Sequence, residues 1–179
     1  MVSVICNNGL NRSVRESGLT DPGEILNETR KIVVEEFEKS EEDVQDGMDI
    51  AFCSLSSSNE LKFAGANNPL WIVRKNSNTI EEVKGDKQPI GAFERSKPFT
   101  THTFQLEPGD VFYIFSDGFS DQFGGDKGKK LKTGNFKELL LKHCAKDMQT
   151  QKKVIDEFFE NWKGNHEQLD DVCLIGVRV

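Results

Sequence analysis

Aspartates stand at the ends of two apolar segments of this 179-residue chain. Asp117 directly follows residues 111–115, within Ser116-Asp117-Gly118, and the pair Asp170-Asp171 directly precedes residues 172–179. If the two segments are antiparallel neighbours in one sheet, the end of one lies beside the start of the other and the carboxylates meet at one edge. Carboxylates without histidine or cysteine partners suit hard divalent ions such as Mg²⁺ or Mn²⁺. The same spacing also has a purely structural alternative. In it, Asp117 belongs to a simple turn, and Asp170 and Asp171 stand at the start of a strand without binding a metal.

A further aspartate and a run of lysines follow Asp117. Asp121 adds an oxygen ligand if the intervening loop curls back, or it caps the turn before Phe123-Gly124-Gly125, and we favour the cap. The run Lys127-Gly128-Lys129-Lys130-Leu131-Lys132 predicts a solvated, flexible loop. Its alternative role is to dock a phosphoprotein through charge.

Composition and charge narrow the class of protein. The chain has 23 Lys+Arg against 30 Asp+Glu, a net charge of −7, which argues against nucleic-acid binding. Its apolar stretches are far shorter than the ~20 residues that cross a bilayer, and its first residues lack the basic leader of a secretory signal. We therefore predict that the domain makes no contact with a membrane. Because the cysteines are far apart, we predict buried, reduced thiols in a cytoplasmic protein. These cysteines are Cys6, Cys53, Cys144 and Cys173; the scattered histidines His102, His143 and His166 are predicted to be structural or exposed.

Helical patterns followed by extended ones predict an α+β arrangement that positions the aspartates. Residues 2–14 are predicted to form an uncapped helix, and Asp21-Pro22-Gly23-Glu24 opens a second helix with an N-cap, an N1 proline and an N3 glutamate. The acidic residues 35–46 are predicted to form a solvated loop. Strands are then predicted at residues 50–55, 61–64, 70–73, 79–83, 99–106 and 111–115.

The last third of the chain is predicted to be two helices and a strand. Short connections favour antiparallel pairing, with residues 107–110 as a hairpin turn. The second of the two helices stops at Gly164. Residues 172–179 are apolar on both faces and predict a central strand covered on each side. The apolar stripes of the helices are Phe136, Leu139, Leu140 and Cys144 in one, and Val154, Ile155, Phe158, Phe159 and Trp162 in the other.

Four motifs in order resemble the SpoIIE-type branch of the metal-dependent protein serine/threonine phosphatases, the bacterial relatives of protein phosphatase type 2C. They are Ala64-Gly65-Ala66-Asn67-Asn68-Pro69-Leu70, Gln88-Pro89-Ile90-Gly91, Ser116-Asp117-Gly118, and the closing Gln168-Leu169-Asp170-Asp171-Val172-Cys173-Leu174-Ile175-Gly176-Val177-Arg178. The resemblance covers essentially the whole chain. It predicts that residues 1–179 are a single domain, the C-terminal major part of such a phosphatase domain.

The resemblance implies a two-sheet antiparallel β-sandwich flanked by helices, with a two-metal centre at one end. By this resemblance Asp117 and Asp170 bind Mn²⁺ or Mg²⁺ and act in catalysis through metal-bound water, Gly118 contacts the cofactor, and Asp171 is the weaker candidate ligand. Asp121 matches a third-metal position whose partner in the Ala64-Gly65-Ala66 loop is not acidic here. Two metals roughly 4 Å apart lower the pKa of a bridging water, which attacks phosphorus in line.

One motif of the family is absent from the sequence. The family places Asp-x-x-Gly-His-Gly just before its first long helix, and residues 1–10 resemble the start of that helix. The resemblance therefore implies a domain truncated at its N-terminus, without its first strands and with an incomplete two-metal centre. Loss of those strands exposes a sheet edge, which favours association into a homodimer.

The function implied is metal-dependent hydrolysis of phosphoserine or phosphothreonine on a regulatory protein in bacterial signalling, such as an anti-sigma-factor antagonist. Upstream sensor domains are expected in the full-length protein. Where these upstream regions include a transmembrane segment, they attach the full-length protein to a membrane. The alternative is a non-catalytic module of the same fold that binds a signalling partner. A metal phosphodiesterase is a weaker alternative, because such enzymes usually add histidine ligands that this chain lacks.

Overall fold

The computed structural model describes residues 2–39 and 47–179. The chain opens with helix α1 (Val2–Asn11), which runs into a wider π-helical turn (Arg12–Glu16), and continues with helix α2 (Pro22–Glu38). The carboxylate of Asp21 caps α2 as predicted, accepting from the N–H groups of Gly23 at 3.0 Å and Glu24 at 3.2 Å. Helix α2 runs further into the acidic stretch than predicted; residues 40–46 of that stretch lie outside the described residues.

The chain divides into two compact units, the first of which comprises residues 1–70 and 84–106. Its sheet contains β1 (Ile50–Leu55), β2 (Glu60–Ala66) and β5 (His102–Gln105), in the order β1-β2-β5 with antiparallel pairing. Helix α2 packs on this sheet and α1 packs against α2, so that apolar side chains of both helices contribute to the core. The buried members of that core are Cys6, Leu26, Val33, Phe37, Ala64, Ala66, Ile90 and Phe99.

The second unit comprises residues 71–83 and 107–179. Its sheet has the order β4-β3-β6-β9, formed by β3 (Leu70–Val73), β4 (Glu81–Val83), β6 (Val111–Phe115) and β9 (Leu174–Arg178). Three helices and a small hairpin complete it: α3 (Gly118–Asp121), α4 (Thr133–His143), α5 (Met148–Lys163), β7 (Phe123–Gly124) and β8 (Lys129–Lys130).

Aromatic rings fill the core of the second unit. Phe136 of α4 lies at the centre, with its ring centroid 4.3 Å from that of Phe119 and 5.3 Å from that of Trp71. The first pair is stacked and the second is tilted, and aromatic contacts of this kind stabilise the fold beyond the burial of apolar area alone. Helix α5 ends as predicted at Gly164, whose N–H donates the last helical bond, to the carbonyl of Glu160 at 2.9 Å. Its positive φ of 54° then turns the following chain out of the helix.

The predicted hairpin at residues 107–110 is wrong, because the strands on its two sides belong to different sheets. Asp110 explains the change: its carboxylate accepts from the N–H groups of Glu107 at 3.0 Å and Lys75 at 2.7 Å, and from Arg74 at 3.0 Å. These bonds fix the start of β6 beside β3. Strand β6 therefore pairs with β3, and not with β5 as a hairpin would require. The predicted α+β class is nevertheless confirmed.

Two further predictions differ from the structure at the C-terminal strand. Among the described strands β9 is an edge strand, not a central one, and Ile175 on it is 49% exposed. The cysteines are free, as predicted, but Cys173 is exposed and only Cys6 is fully buried. Burial raises the pKa of the Cys53 thiol to about 12. No helix in the described ranges is long and apolar enough to cross a membrane.

Candidate metal-binding site

The predicted pairing between the two aspartate-bearing segments is present. Strands β6 and β9 are antiparallel neighbours, with Phe115 opposite Leu174 and Val111 opposite Arg178. The end of β6 therefore lies beside the start of β9. The structure brings Ser116-Asp117-Gly118 and Asp170-Asp171 to one edge of the sheet, which is the juxtaposition that the sequence predicted.

Ser116 joins the two segments through its hydroxyl group. Its Oγ donates to the carbonyl of Asp171 at 2.7 Å and accepts from the N–H of Cys173 at 3.0 Å. The N–H of Ser116 also donates to the carbonyl of Cys173 at 3.0 Å. A hydroxyl can donate and accept at once, so one side chain extends the strand pairing past the end of β6.

Gly118 allows the two backbones to approach closely. A Cβ at this position would lie 2.5 Å from the carbonyl oxygen of Asp171 and 3.3 Å from Cγ2 of Val172. No side chain fits there without a shift of the backbone. In these three consecutive residues, Ser116 thus supplies the hydrogen bonds between the segments, Asp117 supplies a carboxylate, and Gly118 allows the backbones to approach closely. The predicted contact of Gly118 with a cofactor stays a prediction.

The two predicted metal ligands are both exposed. Asp117 precedes the four-residue helix α3, and its carbonyl accepts from the N–H of Asp121 and the hydroxyl of Ser120, both at 3.0 Å. Oδ1 of Asp170 accepts from the N–H of Asp171 at 2.7 Å. These local bonds hold the backbone on both sides of the candidate site, and the exposed carboxylates can accept further ligands.

A cavity of about 150 Å³ lies beside Asp170. Asp121 and Lys130 line it together with Asp170, and their side chains form an ion pair with 2.8 Å between Nζ and Oδ2. Asp121 was predicted to cap a turn, with a metal ligand as the alternative; in the structure its carboxylate pairs with an ammonium group. The other residues around the cavity are Gly118, Gln122, Phe123 and Leu169.

The oxygen donors at this edge meet part of what a divalent ion requires. Carboxylate oxygens suit Mn²⁺ and Mg²⁺, and Asp117 and Asp170 provide two of them at one edge. In residues 2–39 and 47–179, however, no group of three or more His, Cys, Asp or Glu side chains could hold a metal ion. The described residues therefore supply part of a divalent-ion site and do not by themselves fit a two-metal centre.

The basic run has a structure that differs from the prediction. Residues 127–132 were predicted to be a flexible loop, but Lys129 and Lys130 form β8 and pair with Gly124 and Phe123 of β7. Two adjacent glycines before the run and one within it were the available turn signal. The role of Ser116 was also missed, although a hydroxyl residue directly after a buried strand is suited to such a bond.

Comparisons with known proteins agree with this arrangement. The family model described as Stage II sporulation protein E (SpoIIE) matches residues 6–179. No curated protein matches the sequence. The fold is similar to that of the SiaA-PP2C domain of Pseudomonas aeruginosa, with a TM-score of 0.85 and 24% identity over 98% of this chain and 68% of that one.

Two longer structures share the fold at lower identity. The PP2C phosphatase domain of SpoIIE from Bacillus subtilis, solved with a fragment of its regulatory domain, has a TM-score of 0.70 and 16% identity over 97% of this chain and 48% of that one. The RsbU and RsbW domains of a Mycobacterium tuberculosis protein have a TM-score of 0.72 and 18% identity over 97% and 45%. The chain thus spans less than half of either structure.

The predicted fold class, antiparallel sheets with flanking helices as in the PPM phosphatases, is confirmed by these likenesses. The family model covers nearly the whole sequence, from residue 6 to residue 179. The chain belongs to the SpoIIE family of PP2C-like phosphatase domains.

Proposed function

We propose that residues 1–179 form a single domain that carries the Asp117 and Asp170 part of a metal-dependent protein phosphatase site. The complete site hydrolyses phosphoserine or phosphothreonine on a regulatory protein in bacterial signalling. Mn²⁺ or Mg²⁺, when bound, supplies the charge that activates water and holds phosphate oxygens. In this proposal Asp117 and Asp170 hold the ion, and Ser116 and Gly118 keep the two carboxylates at one edge.

The observation that carries the proposal is the hydroxyl bridge of Ser116. The bond of 2.7 Å from Oγ of Ser116 to the carbonyl oxygen of Asp171 holds the two segments together. The proposed ligand Asp117 directly follows Ser116, and the proposed ligand Asp170 directly precedes Asp171. A pair of simple turns would need no such link between segments 55 positions apart. Catalytic groups are effective when rigid elements hold them in place.

Metal binding by the 179-residue chain tests the ligand assignment. We expect Mn²⁺, titrated by electron paramagnetic resonance, to bind weakly and in a way that Mg²⁺ competes with. Asp117→Asn and Asp170→Asn should each weaken binding by about tenfold or more, because even residues that only support a metal ligand are worth about 10–100-fold. Asp171→Asn should have a smaller effect. Asp156→Asn, an exposed aspartate of α5, is the charge-matched control.

Hydrolysis tests the activity. We expect the 179-residue chain to release little or no phosphate from a phosphoserine peptide in Mn²⁺. A chain that supplies Asp-x-x-Gly-His-Gly ahead of α1 should release it, and should lose the activity on Asp117→Asn or on chelation. Activity that persists in that variant contradicts the ligand assignment. Rapid turnover by the 179-residue chain contradicts the incomplete centre.

A non-catalytic binding module is the second candidate. The observation that favours it is that, among residues 2–39 and 47–179, no group of three or more His, Cys, Asp or Glu side chains could hold a metal ion. The same titration separates the two candidates, since a binding module has no need of Mn²⁺. Equal Mn²⁺ affinity of the wild-type chain and of the Asp117→Asn and Asp170→Asn variants would favour the module.

A further inference from the structure

A lysine-rich hairpin borders the candidate site. We define the basic hairpin as residues 123–132, which contain Lys127, Lys129, Lys130 and Lys132 and one acid, Asp126. All four lysines are exposed, although the whole chain has a net charge of −7. The basic hairpin thus reverses locally the sign of the charge of the whole chain.

The backbone of the basic hairpin is held firmly. The N–H of Gly125 donates to the carbonyl of Trp162 at 2.8 Å, and a Cβ on Gly124 would lie only 1.9 Å from the same oxygen. Leu131 is 1% exposed, and its N–H donates to the carbonyl of Gln122 at 3.0 Å. The lysines therefore project from a fixed scaffold, which lowers the entropy lost when a charged partner binds.

Lys132 has a backbone conformation that lysine rarely adopts. Its φ is 71° with ψ 149°, and its N–H donates to the carbonyl of Ser120 at 2.8 Å. Glycine adopts such a conformation at little cost, whereas other residues lose about 1–3 kcal/mol. Lys132 thus follows β8 in a glycine-like conformation, and its backbone is bonded to the helix that follows Asp117.

The cavity beside Asp170 connects the basic hairpin to the candidate site. Lys130 and Asp170 line the same cavity, and Lys130 is already paired with Asp121 at 2.8 Å. Within residues 2–39 and 47–179, Lys127, Lys129 and Lys132 form no ion pair. Three ammonium groups are thus available to an anionic partner, on the same hairpin that contributes Lys130 to the cavity beside Asp170.

We propose that the basic hairpin is the substrate-docking surface, which binds acidic residues flanking the phosphorylated serine or threonine of the substrate protein. The proposal rests on the proposed function, because it places the phosphorylated residue at the Asp117 and Asp170 edge. Lysines bind carboxylates and phosphate as exposed charges, so the interaction is long-ranged and sensitive to salt. Specificity then lies in the charge around the phosphorylated residue.

The test measures binding by fluorescence anisotropy in EDTA, so that it requires no metal. The probe is a fluorescein-labelled peptide whose phosphoserine has glutamates on both sides. The hairpin variant replaces Lys127, Lys129 and Lys132 by Gln; Lys130 is kept so that Asp121 retains its partner. The control variant replaces the exposed lysines Lys142, Lys152 and Lys153 by Gln, which changes the net charge equally.

We expect the hairpin variant to raise Kd about tenfold and the control variant less than about threefold, from the typical strength of exposed charge pairs. Wild-type binding should weaken as NaCl is added, a measurement that depends on no variant. A peptide with lysine flanks should bind more weakly than the glutamate peptide. Equal losses in the two variants, or equal binding of the two peptides, would overturn the proposal.

Failure of this proposal can be told apart from failure of the proposed function. If peptide binding depends on the hairpin but Asp117→Asn leaves Mn²⁺ binding unchanged, only the ligand assignment fails. If Mn²⁺ binding depends on Asp117 but the hairpin variant binds the peptide normally, only the docking surface fails. Hairpin-dependent binding of phosphatidylserine vesicles without binding of the peptide would also overturn it, since the surface would then face a membrane.

Discussion

Gly118 and the carbonyl of Asp171 approach so closely that a Cβ on the glycine would lie 2.5 Å from the oxygen. Each of the two residues in this contact directly follows one of the proposed ligands in the chain, Asp117 or Asp170. Any residue that forces the backbones apart should also separate the carboxylates of Asp117 and Asp170. The contact therefore makes the site sensitive to a single methyl group.

Gly118→Ala is expected to destabilise the protein by about 1–3 kcal/mol, the usual cost of overpacking, and to weaken Mn²⁺ binding. Urea unfolding followed by circular dichroism measures the first effect, and the Mn²⁺ titration measures the second. Gly134→Ala is the matched control, because a Cβ at that position in α4 meets nothing within 4 Å. A neutral Gly118→Ala would show that the backbone gives way easily at this edge.

Ser116→Ala removes both bonds of the hydroxyl bridge. We expect a loss of about 1–2 kcal/mol in the free energy of unfolding, as the carbonyl of Asp171 and the N–H of Cys173 lose their partner. Ser116→Thr keeps the hydroxyl and should recover most of that loss. If alanine and threonine behave alike, the hydroxyl does not hold the two segments together.

Asp110 gives a prediction for the pH dependence of stability. Burial raises the pKa of this carboxyl group, but the N–H groups of Glu107 and Lys75 and the guanidinium of Arg74 outweigh burial, so that its pKa is lowered overall. A lowered pKa means that the ionised form stabilises the folded state above the ordinary aspartate pKa of about 4, and that this stability is lost as the pH falls through the folded-state value.

Asp110→Asn should therefore cost about 2 kcal/mol near neutral pH, the scale of hydrogen bonds to a charged group. The difference from wild type should shrink on acidification below about pH 4. Urea unfolding at a series of pH values measures it, with the exposed Asp156→Asn as control. A difference that stays constant with pH would mean that the charge of Asp110 contributes nothing.

Lys132→Gly should separate stability from function. Relief of the positive φ favours glycine by about 1–3 kcal/mol, and the greater freedom of glycine in the unfolded chain takes back about 0.5–1 kcal/mol. We expect a net gain of about 1 kcal/mol in the free energy of unfolding, together with weaker binding of the acidic phosphopeptide. A loss of stability would show that the lysine side chain stabilises the hairpin itself.

The sequence predicted the elements that depend on local patterns. The cap at Asp21, the end of α5 at Gly164 and the strand at Val111–Phe115 all arise from residues close together in the chain. The placement of the segments that carry Asp117 and Asp170 at one edge of the sheet was also predictable, because it needs only that two apolar strands pair in antiparallel fashion.

What could not be predicted depends on distant partners. The turn at residues 107–110 looks like a hairpin until Arg74 and Lys75 are seen to bind Asp110. Apolarity on both faces of β9 is the same for a central strand and for an edge strand, so periodicity cannot separate them. The lysine run has the pattern of a loop because the contact that holds its hairpin, from the N–H of Gly125 to the carbonyl of Trp162, involves the distant helix α5.

The position of β9 at the sheet edge has a thermodynamic consequence for metal binding. The same strand begins at the Asp170 loop and offers one side to a further strand. A segment that pairs with β9 restrains this loop, so that the loop loses less conformational entropy when an ion binds. Strand addition and ion binding are then linked equilibria, and each raises the affinity of the other by the same factor.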